Sequence, residues 1–192
     1  KSSLSVALTN PDLALPGGGH LRRDTIFIDR TIVAWRGALY ERLSIKNFGN
    51  KPAAFRFDIL FDADFVDLFE VRGVHRSRRG ELTSRVNPPD HAVFAYHGRD
   101  DVKRAMDLRF GPPPNRMTDR MASYAITLEP DGCETLLLTL ACRMENTPAP
   151  ENFFAAYRNA RRARLSATRD IATVSSRNEN FNDVACRAAS DI

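Results

Sequence analysis

The residues best suited to chemistry lie in one stretch, DADFVDLFEVRG at 62–73. It sets Asp62, Asp64, Asp67 and Glu70 close together and follows them with Arg72. Paired carboxylates cleave glycosidic bonds, one as the acid and the other as base or nucleophile, at separations of roughly 5–9.5 Å. Alternate residues on one strand face stand about 6.7 Å apart, so Asp62 and Asp64 satisfy the distance. They do not satisfy the environment. A catalytic acid needs burial or a neighbouring like charge to raise its pKa, and a wet strand face supplies neither. Two side chains standing in parallel also cannot flank a substrate from opposite sides. A calcium loop is the second reading, but Val66 stands where a third ligand belongs and Asp67 where glycine belongs. The stretch therefore reads as architecture. Past Phe65 the alternation breaks at Val66, Leu68 and Phe69, so the chain is turning. Asp64, Asp67, Glu70 and Arg72 are assigned to fixing that loop. Acids in a turn accept from backbone N–H groups, and Arg72 is suited to a bidentate carboxylate pair.

No other constellation competes. His20, His75, His91 and His97 show no ligand spacing, PGGGH lacks the lysine of a phosphate loop, and no Ser or Cys sits in a nucleophile elbow. No catalytic, cofactor-binding or metal-binding residue is assigned, and no cofactor is expected. Cys133, Cys142 and Cys186 lack C-x-x-C spacing. They are read as small buried apolar groups in a reducing compartment, which places the protein in the cytoplasm. The net charge of +4 is mild. RGVHRSRRG and RNARRAR lack the interleaved aromatics of a nucleic-acid reader and read as solvated or salt-bridged faces, so no nucleic-acid partner is expected. Nothing approaches 18 consecutive apolar residues, and no membrane partner is expected.

The elements that position these residues are strands. The chain has 192 residues, 43% hydrophobic and 27% charged, enough for one domain with a real core. From 55 to 65, Phe55, Phe57, Ile59, Phe61, Ala63 and Phe65 share one side, while Arg56, Asp58, Asp62 and Asp64 share the other. Period two of this length marks a strand between core and water. Residues 39–47 put Leu39, Glu41, Leu43, Ile45 and Asn47 on one parity. Further strands are expected near 5–9, 26–33, 91–98, 102–110, 120–128 and 133–144. Glu129-Pro130-Asp131-Gly132 should join the last two as a hairpin, and FGPPPN at 110–115 is a stiff connector. After ENTPAPE the pattern becomes helical. NFFAAYRNARRARLSATRD is rich in alanine and arginine, and Phe181, Val184, Ala185, Ala188, Ala189 and Ile192 form an amphipathic stripe with Ser176 and Glu179 at capping-box spacing. The stripe meets no C-cap at Ile192, so more protein is expected beyond it. The chain does not begin with methionine, and its true start is expected upstream.

LTNPDL at 8–13, YERLSIKNFGN at 40–50 and FDADFVDLFEVRGVHRSRRG at 61–80 resemble the N-terminal domain of bacterial glycogen-debranching-enzyme-like proteins, the amylo-α-1,6-glucosidase-like family. FNDVACRAASDI is similar to the segment leading into that family's helical catalytic domain. The resemblance implies a mainly β protein: a large, mutarotase-like antiparallel β-sandwich over 1–146, truncated at its N-terminus, then linker helices over 147–192. It further implies an (α/α) barrel beyond Ile192 that carries the catalytic carboxylates. The chain would then be a non-catalytic module of a cytoplasmic α-glucan hydrolase, with that helical domain of the same polypeptide as its partner. As a carbohydrate-binding module it would instead contact α-glucan through exposed aromatics, with Trp35, Tyr40 and Tyr96 as candidates.

Overall fold

A computed structural model describes residues 3–15, 19–75, 78–144, 149–167 and 175–190. The glycines of PGGGH before Gly19, Arg76 and Ser77 of the first basic cluster, the 146/147 boundary and Ile192 lie outside the described residues. Twelve strands and three helices occur in chain order among the described residues. They are β1 Ser3–Thr9, β2 Leu13–Ala14, β3 His20–Leu21, β4 Ile26–Trp35, β5 Ala38–Asn47, β6 Ala53–Leu60 and α1 Leu68–Val71. There follow β7 Glu81–Asn87, β8 His91–His97, β9 Lys103–Gly111, β10 Arg116–Met117, β11 Met121–Leu128, β12 Cys133–Arg143, α2 Phe153–Ala167 and α3 Glu179–Ser190.

Every strand pair is antiparallel. A seven-stranded sheet runs β1-β4-β5-β12-β9-β8-β7, and a three-stranded sheet, β10-β11-β6, packs on it. Ile26, Ile45, Phe94, Phe110 and Leu136 meet Ala122, Tyr124, Ile126 and Leu128 between the layers. The mainly antiparallel β architecture read from the strand pattern, and the sandwich that the family resemblance implies, are therefore present. Phe55, Phe57, Ile59, Phe61, Ala63 and Phe65 all pack against this core. The strand itself ends at Leu60; the alternation of sides outlasts the ladder because each phenylalanine still finds the same apolar layer.

The large sheet also buries part of its other face. Phe153, Ala156 and Ala160 of α2 pack on Val33, Ala38, Tyr40 and Ala141. Buried residues of β5 thus fall on both parities, Ala38 and Tyr40 under α2 and Leu43, Ile45 and Asn47 toward the other layer, which its sequence alternation does not reveal.

Three expectations require correction, and one strand was not expected. Pro130 and Asp131, the latter at φ 61, do form a tight turn closed by Gly132 N–H donating to Glu129 O at 2.8 Å. The strands it joins are not a hairpin, however: β11 pairs with β6 in the small sheet and β12 with β5 and β9 in the large one. The turn is held by β5 instead, with Asp131 N–H donating to Asn47 O and Asn47 N–H donating to Gly132 O. The α3 cap is Asn178, whose Oδ1 accepts from Phe181 N–H, while Ser176 Oγ accepts from Asn178 N–H two residues too early for a box. All three cysteines are exposed: Cys133 and Cys142 sit near the ends of β12, and Cys186 lies on α3, none of whose described side chains is buried. Finally β7, which sequence alternation does not announce, forms the edge of the large sheet, and most of it faces solvent.

Candidate functional site

The β4–β5 turn places Arg36 at φ 48 and Gly37 at φ 75, the two left-handed residues that a two-residue hairpin loop demands. That tight reversal sets Trp35 opposite Ala38 at the sheet's end. Residues 149–151, leading into α2, lie across it and close a shallow cleft of about 130 Å³ lined by Trp35, Arg36, Tyr40, Cys142, Pro150 and Glu151.

Glu151 organises the cleft. Its backbone N–H donates to Tyr40 Oη at 3.1 Å, Oε1 accepts from Trp35 Nε1 at 3.4 Å, and Oε2 accepts from Asn159 Nδ2 at 2.8 Å. The Arg36 guanidinium sits 5.3 Å from the centre of the Trp35 ring. Burial pushes the Tyr40 hydroxyl pKa up, the Glu151 N–H opposes this, and the Glu151 charge adds to the rise. A single carboxylate with both oxygens engaged makes no acid–base pair, and the volume falls well below the roughly 300 Å³ of typical ligand pockets. The cleft can present one indole edge and one cation to something that rests on it.

The three candidate sugar contacts do not share a face. Trp35 and Tyr40 belong to the α2 side, and Tyr40 is only 2% exposed. A ring covered by α2 cannot serve as a stacking platform. Tyr96 lies on β8, stacked on Phe65 with ring centres 5.2 Å apart, and its hydroxyl accepts from Gly80 N–H at 2.8 Å. Gly80 is required there, since a Cβ would lie 2.1 Å from His97 O.

The acids of 58–70 are all engaged. Asp58 accepts from Ser123 Oγ at 2.6 Å and pairs with Arg56, and Asp62 pairs with Arg120. Asp64 accepts from Val66 N–H at 3.2 Å. Asp67 caps α1, its Oδ1 accepting from Phe69 and Glu70 N–H at 2.8 and 2.9 Å, while Glu70 Oε2 accepts from Asp67 N–H. The half-buried Glu70 carboxylate then pairs with Arg79 at 3.0 Å. Arg79 thus takes the partner expected for Arg72, which forms no ion pair among the described residues. Arg72 is the C-cap residue of α1 and lies on its exposed end.

A polar chain that motif reading misses crosses the outer face of the large sheet. His91 Nε2 lies 2.7 Å from Asp107 Oδ1, Arg143 Nε donates to Asp107 Oδ2, and Asn87 Nδ2 lies 3.5 Å from His91 Nδ1. Asp107 is 4% exposed. The members come from β7, β8, β9 and β12, so only pairing brings them together; Asp107 gives no sequence signal, standing on β9 among Lys103, Arg104 and Arg109. The four side chains tie their strands together around one buried carboxylate, Asp107, while Arg143 reaches it from the exposed side. Among the described residues, no group of three or more His, Cys, Asp or Glu is placed to hold a metal ion, and no helix is long and apolar enough to cross a membrane.

Comparison with known proteins gives one family match, over residues 1–139: the N-terminal domain of (some) glycogen debranching enzymes. A solved structure described as a putative kojibiose phosphorylase from human microbiome is similar with a TM-score of 0.46 and 10% identity. The similarity covers 86% of this chain and 21% of that one. No curated protein matches the sequence.

Proposed function

The chain belongs to this family of glycogen debranching enzyme N-terminal domains, and from that premise we propose that it is a non-catalytic module of an α-glucan-processing hydrolase. Residues 1–146 form the sandwich and 147–192 the helices that lead to a helical catalytic domain of the same polypeptide. The module stabilises that domain and shapes one rim of its substrate cleft. The observation that carries this reading is the engagement of every carboxylate between Asp58 and Glu70 in a cap, a turn or an ion pair. No two of them are left to converge on a substrate. The isolated chain should release no glucose from branched α-glucan, and sustained turnover would overturn the proposal.

The cleft beside Trp35 favours a second reading, direct contact with α-glucan at one aromatic. Trp35 is the chain's one tryptophan, so its fluorescence reports the site without interference. Titration with a maltooligosaccharide should shift the emission if sugar stacks there; an unchanged spectrum at millimolar sugar rejects this reading.

A further inference from the structure

Residues 66–75 form a rigid apolar knob. Leu68, Phe69, Val71 and Val74 are 60%, 59%, 69% and 53% exposed. Four large apolar side chains so close in sequence on one short turn are a concentration that surfaces of monomeric proteins seldom carry without a partner.

The exposure is not a sign of looseness, because both ends of the turn are tied. Asp67 and Glu70 form a reciprocal capping box. At the other end, Gly73, at φ 94, and Val74 donate to Glu70 O and Phe69 O at 3.0 and 2.9 Å. That is the Schellman arrangement, which needs the left-handed residue glycine supplies. Arg79 pins Glu70 from outside the helix. A surface held in one conformation before contact loses little entropy on docking.

Two exposed cations without an acid partner among the described residues lie beside the knob in sequence. Arg72, Arg78 and Arg79 are all exposed, and Arg72 and Arg78 form no ion pair among the described residues. The turn's own acids are engaged, Asp67 as the cap of α1 and Glu70 in the pair with Arg79. A complementary surface is therefore an apolar groove rimmed by carboxylates.

We propose that the Leu68–Val74 knob is the surface by which this module docks, that its occupant is an acid-rimmed apolar groove on the helical domain of the same enzyme, and that Arg72 and Arg78 meet the rim. The inference rests on the module reading above and names the contact that reading lacks.

Covalent footprinting of exposed side chains tests both, by comparing the 192-residue chain with the debranching enzyme that contains it. In the free chain Leu68, Phe69, Val71 and Val74 should label strongly. In the whole enzyme their labelling should fall several-fold, while Phe48, 59% exposed at the far end of β5, stays labelled. Protection confined to other surfaces, such as Phe154 or Phe181, overturns the knob but leaves the module reading intact. Protection nowhere overturns both. Phe69→Asp supplies a second arm. It should leave the free chain's urea midpoint unchanged and restore labelling of Leu68 and Val71 in the whole enzyme. A variant enzyme still protected at those positions also rejects the proposal. A free chain that is dimeric by light scattering, with the knob protected, assigns the surface to a second copy and overturns it as well.

Discussion

Asn47 shows how much one residue can hold. It is fully buried, and its Nδ2 donates to Lys51 O at 2.9 Å and Leu128 O at 3.1 Å while Oδ1 accepts from Gly49 N–H at 2.8 Å. Its backbone meanwhile grips the Asp131–Gly132 turn. One side chain thereby ties β5, the β5–β6 connection and the end of β11. Asn47→Ala would orphan the buried Leu128 carbonyl along with the Lys51 carbonyl and the Gly49 amide, and should cost on the order of 3 kcal/mol in urea unfolding. A loss below about 0.5 kcal/mol would show the contacts to be dispensable. Tyr124 sets a pH limit. Burial pushes its pKa from 10.0 up to about 12 and the Asp90 charge adds to the rise, while its hydroxyl donates to Pro112 O at 3.0 Å. The unfolded chain releases this proton first. The contribution to stability is thus fully present below pH 10 and is lost as pH climbs toward 12. Chemical denaturation at pH 8, 10 and 11.5 should reveal this alkaline loss, and Tyr124→Phe should flatten it.

At the scale of elements, β6 is both the most legible strand and an open edge. Its phenylalanine alternation predicts which side faces the core, and the structure agrees. Its position was not legible, because pairing partners are chosen by distant residues. Phe61 N–H donates to Arg120 O at 3.1 Å, so the odd-numbered residues of β6 bond to β11. The N–H groups of Ala54, Arg56, Asp58 and Leu60 then point out of the sheet. Hydrogen exchange should be faster at those four amides than at Phe55, Phe57 and Ile59, and uniform protection along β6 would contradict the register. The same logic explains the missed hairpin. Proline, aspartate and glycine dictate a reversal at 129–132, but they do not dictate whether the chain returns beside itself or crosses to the facing layer.

At the scale of the whole molecule, α2 is the third layer, and it is what closes the Trp35 cleft. Ala156 is fully buried against the large sheet, where nothing larger than a methyl fits without displacing the helix. Ala156→Asp should detach α2, break the Glu151 contacts to Trp35 and Tyr40, and shift tryptophan emission to the red with little change in strand content by circular dichroism. Unshifted emission would mean that the cleft forms without the helix. This layer also decided the fate of the aromatic candidates. Tyr40 and Trp35 belong to the same strand hairpin in sequence, yet α2 buries one ring and leaves the other partly open.

By itself the sequence determined the class of structure, the inward side of β6 and the reversal at 129–132, since each follows from side-chain period and local turn chemistry. Family blocks added what the domain resembles. Tertiary structure alone decided which sheet each strand joined, that Arg79 rather than Arg72 neutralises Glu70, that His91, Asp107 and Arg143 meet, and that the α1 turn stands out as a rigid apolar knob. Those are contacts between residues far apart in the chain or questions of what covers a surface. Local preference is silent on both, because the deciding energy is the burial of one element against another.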